Sequence, residues 1–245
     1  MKPIKFIAEV IGHRDLAPDI FEKTFRLVEP QELEYSAGNY TSVRVADGKQ
    51  PPVFRAYTFA SCGNDPTTFK FCVKLFRTDS GEEGRGSGYL KNLKIGARAE
   101  FFGPAGEGSF VPRGKNSEPL FLLGTGTGIA PLKAVAEKLT CEKSPRQIHL
   151  FFGVSYPEDI FYIAEFEKIK KSNPNFNFCV AVSRPPEGFA GITGRLPAVL
   201  EGSKIPKNVE ALVCGSEASV AGIKNKLLEL GVPPNRIDAE GFGEV

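Results

Sequence analysis

The sequence predicts two domains, a small antiparallel β-barrel followed by a doubly wound α/β domain with a parallel sheet. The first part consists of β-rich segments separated by turns that contain glycine and proline, which is typical of antiparallel sheets. Further along, short apolar strands alternate with segments of helical periodicity, and repeated βα units predict a parallel sheet covered by helices. The polar stretch 111–119 separates the two patterns. We therefore expect one domain over residues 1–112 and a second over residues 113–245.

In the first domain, the predicted strands alternate apolar and polar residues or carry β-branched and aromatic runs. They cover residues 5–11, 20–28, 40–45, 54–61, 69–76 and 97–103. One short helix is expected over 87–93, directly after a glycine-rich turn. Six strands without a long helix predict a small antiparallel barrel.

In the second domain, each predicted strand is followed by a helical segment. The strands cover 119–124, 147–153, 176–182, 209–215 and 236–242, and the helices 130–139, 157–170, 194–201 and 216–231. In the last helix, Ser216 is placed to accept a hydrogen bond at the amino end, and Gly231 to end the helix.

Composition excludes several classes of protein. The first 112 residues carry 15 basic and 14 acidic side chains and the remainder 16 and 15, so neither domain has the basic excess of a nucleic-acid binder. No apolar run approaches the roughly 20 residues of a membrane span. The five cysteines include no C-x-x-C pair, which argues against a metal site and against a disulfide framework and favours a reducing, cytoplasmic compartment. His13 and His149 stand alone and are interpreted as strand residues.

The stretch "LLGTGTGIAPLKAV" carries the first chemical signal. Gly124, Gly126 and Gly128 lie between a predicted strand and a predicted helix, where glycines let the backbone approach a ligand and free N–H groups can receive a pyrophosphate. The spacing is not the G-x-G-x-x-G of a Rossmann dehydrogenase, and "FFGVSY" lacks the acid expected at the end of the next strand. The stretch predicts a nucleotide site of another kind.

The strand "FRAYTFAS" carries the second signal, because Arg55, Tyr57 and Thr58 place a cation, an aromatic ring and a hydroxyl on one short segment. It resembles the R-x-Y-[ST] flavin motif of the ferredoxin–NADP⁺ reductase family. Seven further stretches resemble that family in the same order: "FCVKLF" (71–76), "GRGSGYL" (84–90), "GPAGEGSF" (103–110), "GTGTGIAP" (124–131), "VSR" (182–184), "VCG" (213–215) and "AEGF" (239–242). The resemblance covers nearly the whole chain and implies an FAD-dependent NAD(P)H oxidoreductase.

For the flavin, the resemblance implies that Arg55 pairs with the pyrophosphate, Tyr57 stacks on the isoalloxazine ring and Thr58 bonds near N5. The implied FAD-binding residues are Arg55, Ala56, Tyr57, Thr58, Cys72, Val73, Lys74, Gly86, Ser87 and Gly88. Taken singly, Arg55 could equally form a surface ion pair and Tyr57 an ordinary cross-strand contact.

For the nicotinamide nucleotide, the resemblance implies a second set of binding residues: Gly124, Thr125, Gly126, Thr127, Gly128, Pro131, Ser183, Arg184 and Gly215. At the reaction centre it implies Thr58, Cys214, Glu240 and Phe242. Cys214 would lie beside the nicotinamide, although a free cysteine is more often a small buried apolar residue. Glu240 would bond the carboxamide or relay a proton, and Phe242 would cover the flavin.

Two departures from the plant-type pattern bear on the ligands. Thr78 stands where those reductases carry a tyrosine, and the lysine and tyrosine that assist 2′-phosphate binding are not evident after "VSR". Arg184 predicts a preference for NADP, with NAD as the alternative.

The expected function is electron transfer between NAD(P)H and a separate one-electron acceptor through FAD. A ferredoxin or flavodoxin is the first candidate for the acceptor, and a component of an oxygenase is the second. The alternative is a flavin-bearing conduit subunit of a larger redox complex without NAD(P)H turnover of its own. A nucleotide-sensing module without flavin agrees least with Arg55, Tyr57 and Ser87.

Overall fold

The computed structural model of the protein describes residues 2–106, 110–203 and 205–242. The chain divides into two compact units, Met1–Ser109 and Phe110–Val245. None of the helices in the described ranges is long and apolar enough to cross a membrane.

The first unit is a six-stranded antiparallel sheet with one helix. Its strands are β1 (Ile4–Ala17), β2 (Ile20–Glu29), β3 (Tyr40–Val45), β4 (Val53–Thr58), β5 (Thr68–Lys74) and β6 (Arg98–Ala105), and helix α1 (Arg85–Asn92) lies between β5 and β6. The strand order is β4-β3-β6-β1-β2-β5, so β4 and β5 are the edges. The edges approach each other beyond the end of β4, where the Ala60 N–H donates to the Lys70 carbonyl at 2.8 Å.

Phenylalanine rings fill the interior of this unit. Phe25 and Phe69 stack with their centroids 5.1 Å apart, and so do Phe6 and Phe101. The rings alternate along the strands with outward-facing polar residues, because successive side chains of a strand point to opposite faces. This core holds the edge strand β4 and helix α1 in fixed places.

The second unit is a parallel sheet flanked by helices. Its elements are β7 (Leu120–Thr125), α2 (Ile129–Cys141), β8 (Ile148–Val154), α3 (Ile163–Ser172), β9 (Phe176–Val182), β10 (Ile192–Thr193), α4 (Leu196–Glu201), β11 (Glu210–Ser216), α5 (Glu217–Glu229) and β12 (Ile237–Phe242). The strand order is β10-β9-β8-β7-β11-β12. The order reverses beside β7, and ligands of doubly wound sheets bind outside the carboxyl ends of the strands at such a switch point.

The predicted fold class is confirmed, and the cap at Ser216 is present, since the Ser219 N–H donates to the Ser216 hydroxyl at 3.4 Å. Several boundaries were wrong: the strand expected over 5–11 extends to Ala17, and two others have a local cause. The helix expected from residue 157 begins only at Ile163, because Tyr162 has a left-handed φ of +62° and breaks the helical path. Strand β4 ends at Thr58 because the next N–H groups bond elsewhere, that of Phe59 to the Asn39 carbonyl at 3.0 Å.

Candidate functional site

Strand β4 presents Arg55 and Tyr57 on the same face of the sheet. Arg55 lies opposite the buried Val43 in the β3–β4 register, so both side chains point to the inner side at the edge of the barrel. The Arg55 guanidinium donates to the Phe54 carbonyl at 3.1 Å and pairs with no carboxylate among the described residues. The surface ion pair considered for Arg55 is therefore not formed there.

The Tyr57 ring is largely buried against the core. Its centroid lies 5.5 Å from that of Phe71. Burial raises the pKa of the Tyr57 hydroxyl to about 12, while the nearby Arg55 charge acts in the opposite direction. The phenol is therefore neutral at physiological pH.

Helix α1 begins directly against these two side chains. A Cβ added to Gly86 would lie 2.7 Å from Arg55 Cγ and 2.8 Å from the Tyr57 hydroxyl oxygen. Only glycine allows this approach, because Cβ atoms essentially never come so close to other heavy atoms. The backbone of α1 at Gly86 consequently lies against the aliphatic part of the Arg55 side chain and the Tyr57 hydroxyl.

The amino end of α1 has donors to offer in that region. Gly84 precedes the helix, and no side chain of the described residues caps it. The first N–H groups of a helix have no intrahelical acceptor, and together with the helix dipole they favour an anion. Ser87 is 7% exposed, and its hydroxyl accepts the Phe76 N–H at 3.0 Å, which leaves its own proton available. These residues fit the pyrophosphate of FAD.

The remaining predicted flavin residues lie on β4, β5 and α1. Thr58 ends β4 opposite Tyr40, and Ala56 is exposed on the other face of the same strand. In β5, Cys72 lies opposite Glu22 of β2 and is followed by the buried Val73 and the exposed Lys74. Gly88 lies one turn into α1, where the Gly88 N–H donates to the Gly84 carbonyl at 2.8 Å. The structure brings Arg55, Tyr57 and Gly86 into mutual contact, and their roles toward a flavin stay predictions.

In the second unit, the two predicted glycine motifs meet at the carboxyl edge of the sheet. Gly124 of β7 lies opposite Cys214 of β11. A Cβ on Gly128 would lie 2.5 Å from the carbonyl carbon and oxygen of Cys214, and one on Gly215 would collide with the Thr125 hydroxyl. Both motifs therefore depend on glycine for backbone contact at the switch point between β7 and β11.

The intervening turn has a conformation that only glycine adopts readily. Gly126 has a φ of +51°, and with Thr127 and Gly128 it forms a single 3₁₀ turn before α2. Pro131 lies buried in the first turn of α2. The Ile129 N–H, the first of α2, already donates to the Gly126 carbonyl, and Pro131 has no N–H. No side chain of the described residues caps the preceding turn, so the N–H groups at the start of that turn are the ones available to an anion.

Cys214 and Glu240 lie side by side on β11 and β12. Burial and the neighbouring Glu240 charge raise the pKa of the Cys214 thiol, so the thiol stays protonated. Burial, together with Asp238, raises the pKa of the Glu240 carboxyl. Phe242 pairs with Ser216 at the end of β12. The arrangement provides a neutral thiol and a carboxyl with increased proton affinity beside the nucleotide motif.

Arg184 has a partner that the sequence did not indicate. Its guanidinium donates to the Tyr156 hydroxyl at 3.2 Å and lies 5.8 Å from the centre of the Tyr156 ring. Backbone bonds hold the two loops together, since the Ser183 N–H donates to the Val154 carbonyl at 3.0 Å. An acid also lies nearby, because the Asp159 carboxylate accepts the Tyr156 N–H at 3.0 Å. The position of Tyr156, two residues after β8, is the sequence feature from which a partner for Arg184 could have been predicted.

Two family models match the chain. The oxidoreductase FAD-binding domain matches residues 8–110, and the oxidoreductase NAD-binding domain matches residues 122–225. The chain belongs to the ferredoxin reductase type of FAD- and NAD-binding oxidoreductases. The resemblance seen in the motifs is thereby confirmed, and residues 111–121 of this reductase-type chain separate the two matched ranges.

Curated relatives of this reductase-type chain include the F subunits of Na⁺-translocating NADH-quinone reductases. The protein of Pseudomonas aeruginosa strain UCBPP-PA14 is 26% identical, with 98% of this chain and 68% of the relative covered. That of Methylococcus capsulatus is 28% identical, with 88% of this chain and 55% of the relative covered. The chain thus spans little more than half to two thirds of these relatives.

Solved structures share the fold. The flavohaem-like FAD/NAD-binding domain of the nitric oxide dioxygenase of Vibrio cholerae O1 biovar El Tor has a TM-score of 0.85 at 20% identity, covering 98% of this chain and 99% of that chain. The ferredoxin reductase in carbazole 1,9a-dioxygenase has a TM-score of 0.83 at 24% identity, covering 99% and 70%. At these identities the likeness establishes the two-unit reductase fold.

Proposed function

We propose that this chain is a flavoprotein reductase that takes electrons from NAD(P)H through bound FAD and passes them singly to a separate acceptor. The observation that carries the proposal is the approach of Gly86 to Arg55 and Tyr57. It joins a cation, an uncapped helix end and a buried aromatic ring, which are the groups that a flavin pyrophosphate and an isoalloxazine ring require.

The residues of the chain would bind and position, whereas FAD supplies the conversion of hydride to single electrons. Arg55 and the N–H groups of Gly86 and Ser87 would hold the pyrophosphate, and Thr58 would orient the ring near N5. The Gly88 N–H, which the resemblance also implied, is already bonded to the Gly84 carbonyl at 2.8 Å. In the second unit, the turn before α2 would receive the nucleotide phosphates. Cys214 would bound the nicotinamide pocket, and Glu240 would hold its carboxamide or relay a proton.

The acceptor is proposed to be a small electron-transfer protein, a ferredoxin or flavodoxin, or a component of an oxygenase. One solved structure with this fold is named as the ferredoxin reductase in carbazole 1,9a-dioxygenase, a reductase named for such an acceptor. A second candidate is a conduit subunit of a larger redox complex, which the likeness to the NADH-quinone reductase relatives favours. Glu240 at the carboxyl edge of the sheet supports turnover by the chain itself.

For the nucleotide, we propose NADPH over NADH. An exposed guanidinium presented by Tyr156 suits a 2′-phosphate, because arginine binds phosphate through two parallel hydrogen bonds. The names of the curated relatives point to NADH, and Asp159 on the same turn would suit a ribose without the phosphate. The preference therefore depends on Arg184.

The proposed function is tested on the purified protein. We expect it to be yellow and to release FAD, identified by extraction and chromatography. Under anaerobic conditions, NADPH should bleach the flavin and a one-electron dye should restore its colour over many turnovers. Release of FMN alone would contradict the proposed cofactor. Bound FAD that neither nucleotide reduces would favour the conduit role in a larger complex.

A further inference from the structure

A short turn joins helix α1 to strand β6 and carries an exposed isoleucine. The Ala97 N–H donates to the Lys94 carbonyl at 3.0 Å, and the Gly96 N–H donates to the Val10 carbonyl at 2.8 Å. Ile95, at the tip of this turn, is 67% exposed, more than any other large apolar side chain of the described residues. Turns are usually formed by glycine, proline and short polar residues, so local structure does not require an isoleucine there. The turn holds an apolar side chain in water at a fixed place.

The residues around this turn carry an excess of positive charge. Lys94 is exposed and forms no ion pair within the described part of the chain. Arg98 is exposed, and its guanidinium lies 3.7 Å from the Glu9 carboxylate, which also lies 3.1 Å from the Arg26 guanidinium. One carboxylate therefore serves two guanidinium groups, and no described carboxylate neutralises Lys94.

Two further lysines lie at the end of α1. The Lys23 side chain is buried, and its ammonium donates to the Leu93 carbonyl at 2.5 Å. Burial lowers the pKa of Lys23, and the charges of Lys91 and Lys94 lower it further, so the three ammonium groups repel one another. Asp15 accepts a hydrogen bond from Lys91 at 2.6 Å and reduces this repulsion. The charge at this end of the unit therefore attracts anions.

We propose that this turn binds the surface of an anionic lipid bilayer, with Ile95 inserted among the headgroups and Lys91, Lys94 and Arg98 around it. Burial of an apolar side chain and attraction of cations to anionic lipids act together at such a surface. Cations near the carboxyl end of a helix also stabilise its dipole, but that effect gives no reason for the exposed Ile95. A specific protein partner would need an interface of about 800 Å² per side, whereas a bilayer accepts a single projecting residue. The inference does not depend on bound FAD or NAD(P)H.

The test is co-sedimentation of the purified protein with vesicles of phosphatidylcholine containing about one third phosphatidylglycerol, which supplies the anionic surface. The parent should sediment with these vesicles and stay in solution with vesicles of phosphatidylcholine alone. Lys94→Gln should weaken binding about 5-fold, because a lysine near an anionic surface contributes about 1 kcal/mol. Ile95→Ser should weaken it about tenfold, because burying an isoleucine side chain contributes about 1.5 kcal/mol. High salt should remove the first difference and leave the second, since salt screens charges and not apolar burial.

Lys5→Gln and Ile4→Ser are the matched controls, because they remove an exposed lysine and an exposed isoleucine from the start of β1, roughly 20 Å of strand away from Val10. Both controls should bind like the parent. A parent that does not sediment with anionic vesicles would overturn the inference, leave an acidic protein as the remaining occupant and leave the flavin function standing. Equal weakening by Lys5→Gln and Lys94→Gln would also overturn it, because binding would then follow net charge, and so would parental binding by Ile95→Ser. Flavin content, read from the absorbance spectrum, should be the same in every variant, which separates loss of vesicle binding from the proposed function.

Discussion

The roles that Arg55 and Tyr57 can take depend on the residues that surround them. Either residue alone would suit an ordinary barrel strand. Gly86 adds a second feature, because its missing side chain lets the amino end of α1 lie against the Arg55 stem and the Tyr57 hydroxyl. The Arg55 guanidinium pairs with no carboxylate of the described residues. The cation is thereby left for a ligand of opposite charge.

Arg55→Ala should weaken FAD binding about 10- to 100-fold. The loss of a charge-assisted pair with a phosphate costs about 1.5–3 kcal/mol, and about 1.4 kcal/mol corresponds to tenfold in affinity. Fluorescence titration of the apoprotein measures the effect. Arg26→Ala is the control, since Arg26 pairs with Glu9 at 3.1 Å on the surface of the same unit. A variant at position 55 that binds FAD like the parent would leave Arg55 with a structural role.

Cys214→Ala and Glu240→Gln should slow reduction of the flavin by the nicotinamide nucleotide while FAD stays bound. Both residues belong to the second unit, where Cys214 lies opposite Gly124 on one side and Glu240 on the other. Stopped-flow absorbance of the flavin reports the reduction rate, and the spectrum before mixing reports FAD content. Parental rates in both variants would show that hydride transfer does not require them and would favour the conduit role.

Between elements, backbone contacts at glycine decide the geometry of the nucleotide site. Gly128 and Gly215 let the turn before α2 lie on the end of β11. Such junctions do not tolerate an added side chain, because the backbone carbonyl of Cys214 cannot move aside as the end of a flexible side chain would.

Gly128→Ala should lower the free energy of unfolding by about 1–3 kcal/mol, the usual cost of overpacking, and should weaken nucleotide binding. Gly222→Ala in α5 is the matched control, since a Cβ there meets only Pro197 Cγ, at 3.7 Å. The control should raise the free energy of unfolding by roughly 0.5–1 kcal/mol, because alanine favours a helix over glycine. Chemical denaturation measures both variants, and an unchanged Gly128→Ala would contradict the contact.

Ion pairs fix the segment that leads into β7. The buried Arg146 pairs with Glu210 at 2.7 Å, and Glu210 also accepts the N–H groups of Arg113 at 2.6 Å and Gly114 at 2.9 Å. Nearby, Glu118 receives two hydrogen bonds from Arg236, at 2.8 and 3.0 Å. A polar segment without regular structure is thereby attached to the second unit.

Glu118→Gln should make the protein less stable at neutral pH, and the difference from the parent should shrink in acid. Arg236 is the main cause that lowers the pKa of Glu118 from 4.5 to about 2. A lowered folded-state pKa contributes stability above the unfolded pKa, and this contribution is lost as the pH falls from about 4.5 toward 2. Urea denaturation between pH 7 and pH 3 tests the trend. Glu229→Gln, at an exposed pair with Lys226, is the control. A stability difference between Glu118→Gln and the parent that does not change with pH would contradict the role of the Glu118–Arg236 pair.

At the scale of the whole molecule, the two family matches assign one ligand to each unit. The first unit offers an anion site with aromatic neighbours, and the second offers glycine turns at a switch point. We propose that the choice of nucleotide depends on one exposed pair at the carboxyl edge of the second sheet, Arg184 and Tyr156.

Arg184→Ala should lower kcat/KM for NADPH and spare kcat/KM for NADH. The reason is that only the 2′-phosphate requires the guanidinium. Steady-state kinetics with a one-electron dye supply both values for the parent and the variant. Arg195→Ala, a second arginine of the same unit, is the comparison. An NADH-preferring parent whose kinetics do not respond to Arg184→Ala would remove the support for NADPH.

The sequence by itself determined the fold class, the order of the elements and the positions of the glycine motifs. These features are local, because neighbouring residues along the chain carry both the period of two or 3.6 residues and the glycines of the turns. Only the tertiary structure decided that Gly86 lies against Arg55 and Tyr57, that Tyr156 holds Arg184, and that Lys23 bonds Leu93 at the end of α1. These residues come from separate elements, and their contact depends on sheet register and packing, which periodicity along the chain does not encode.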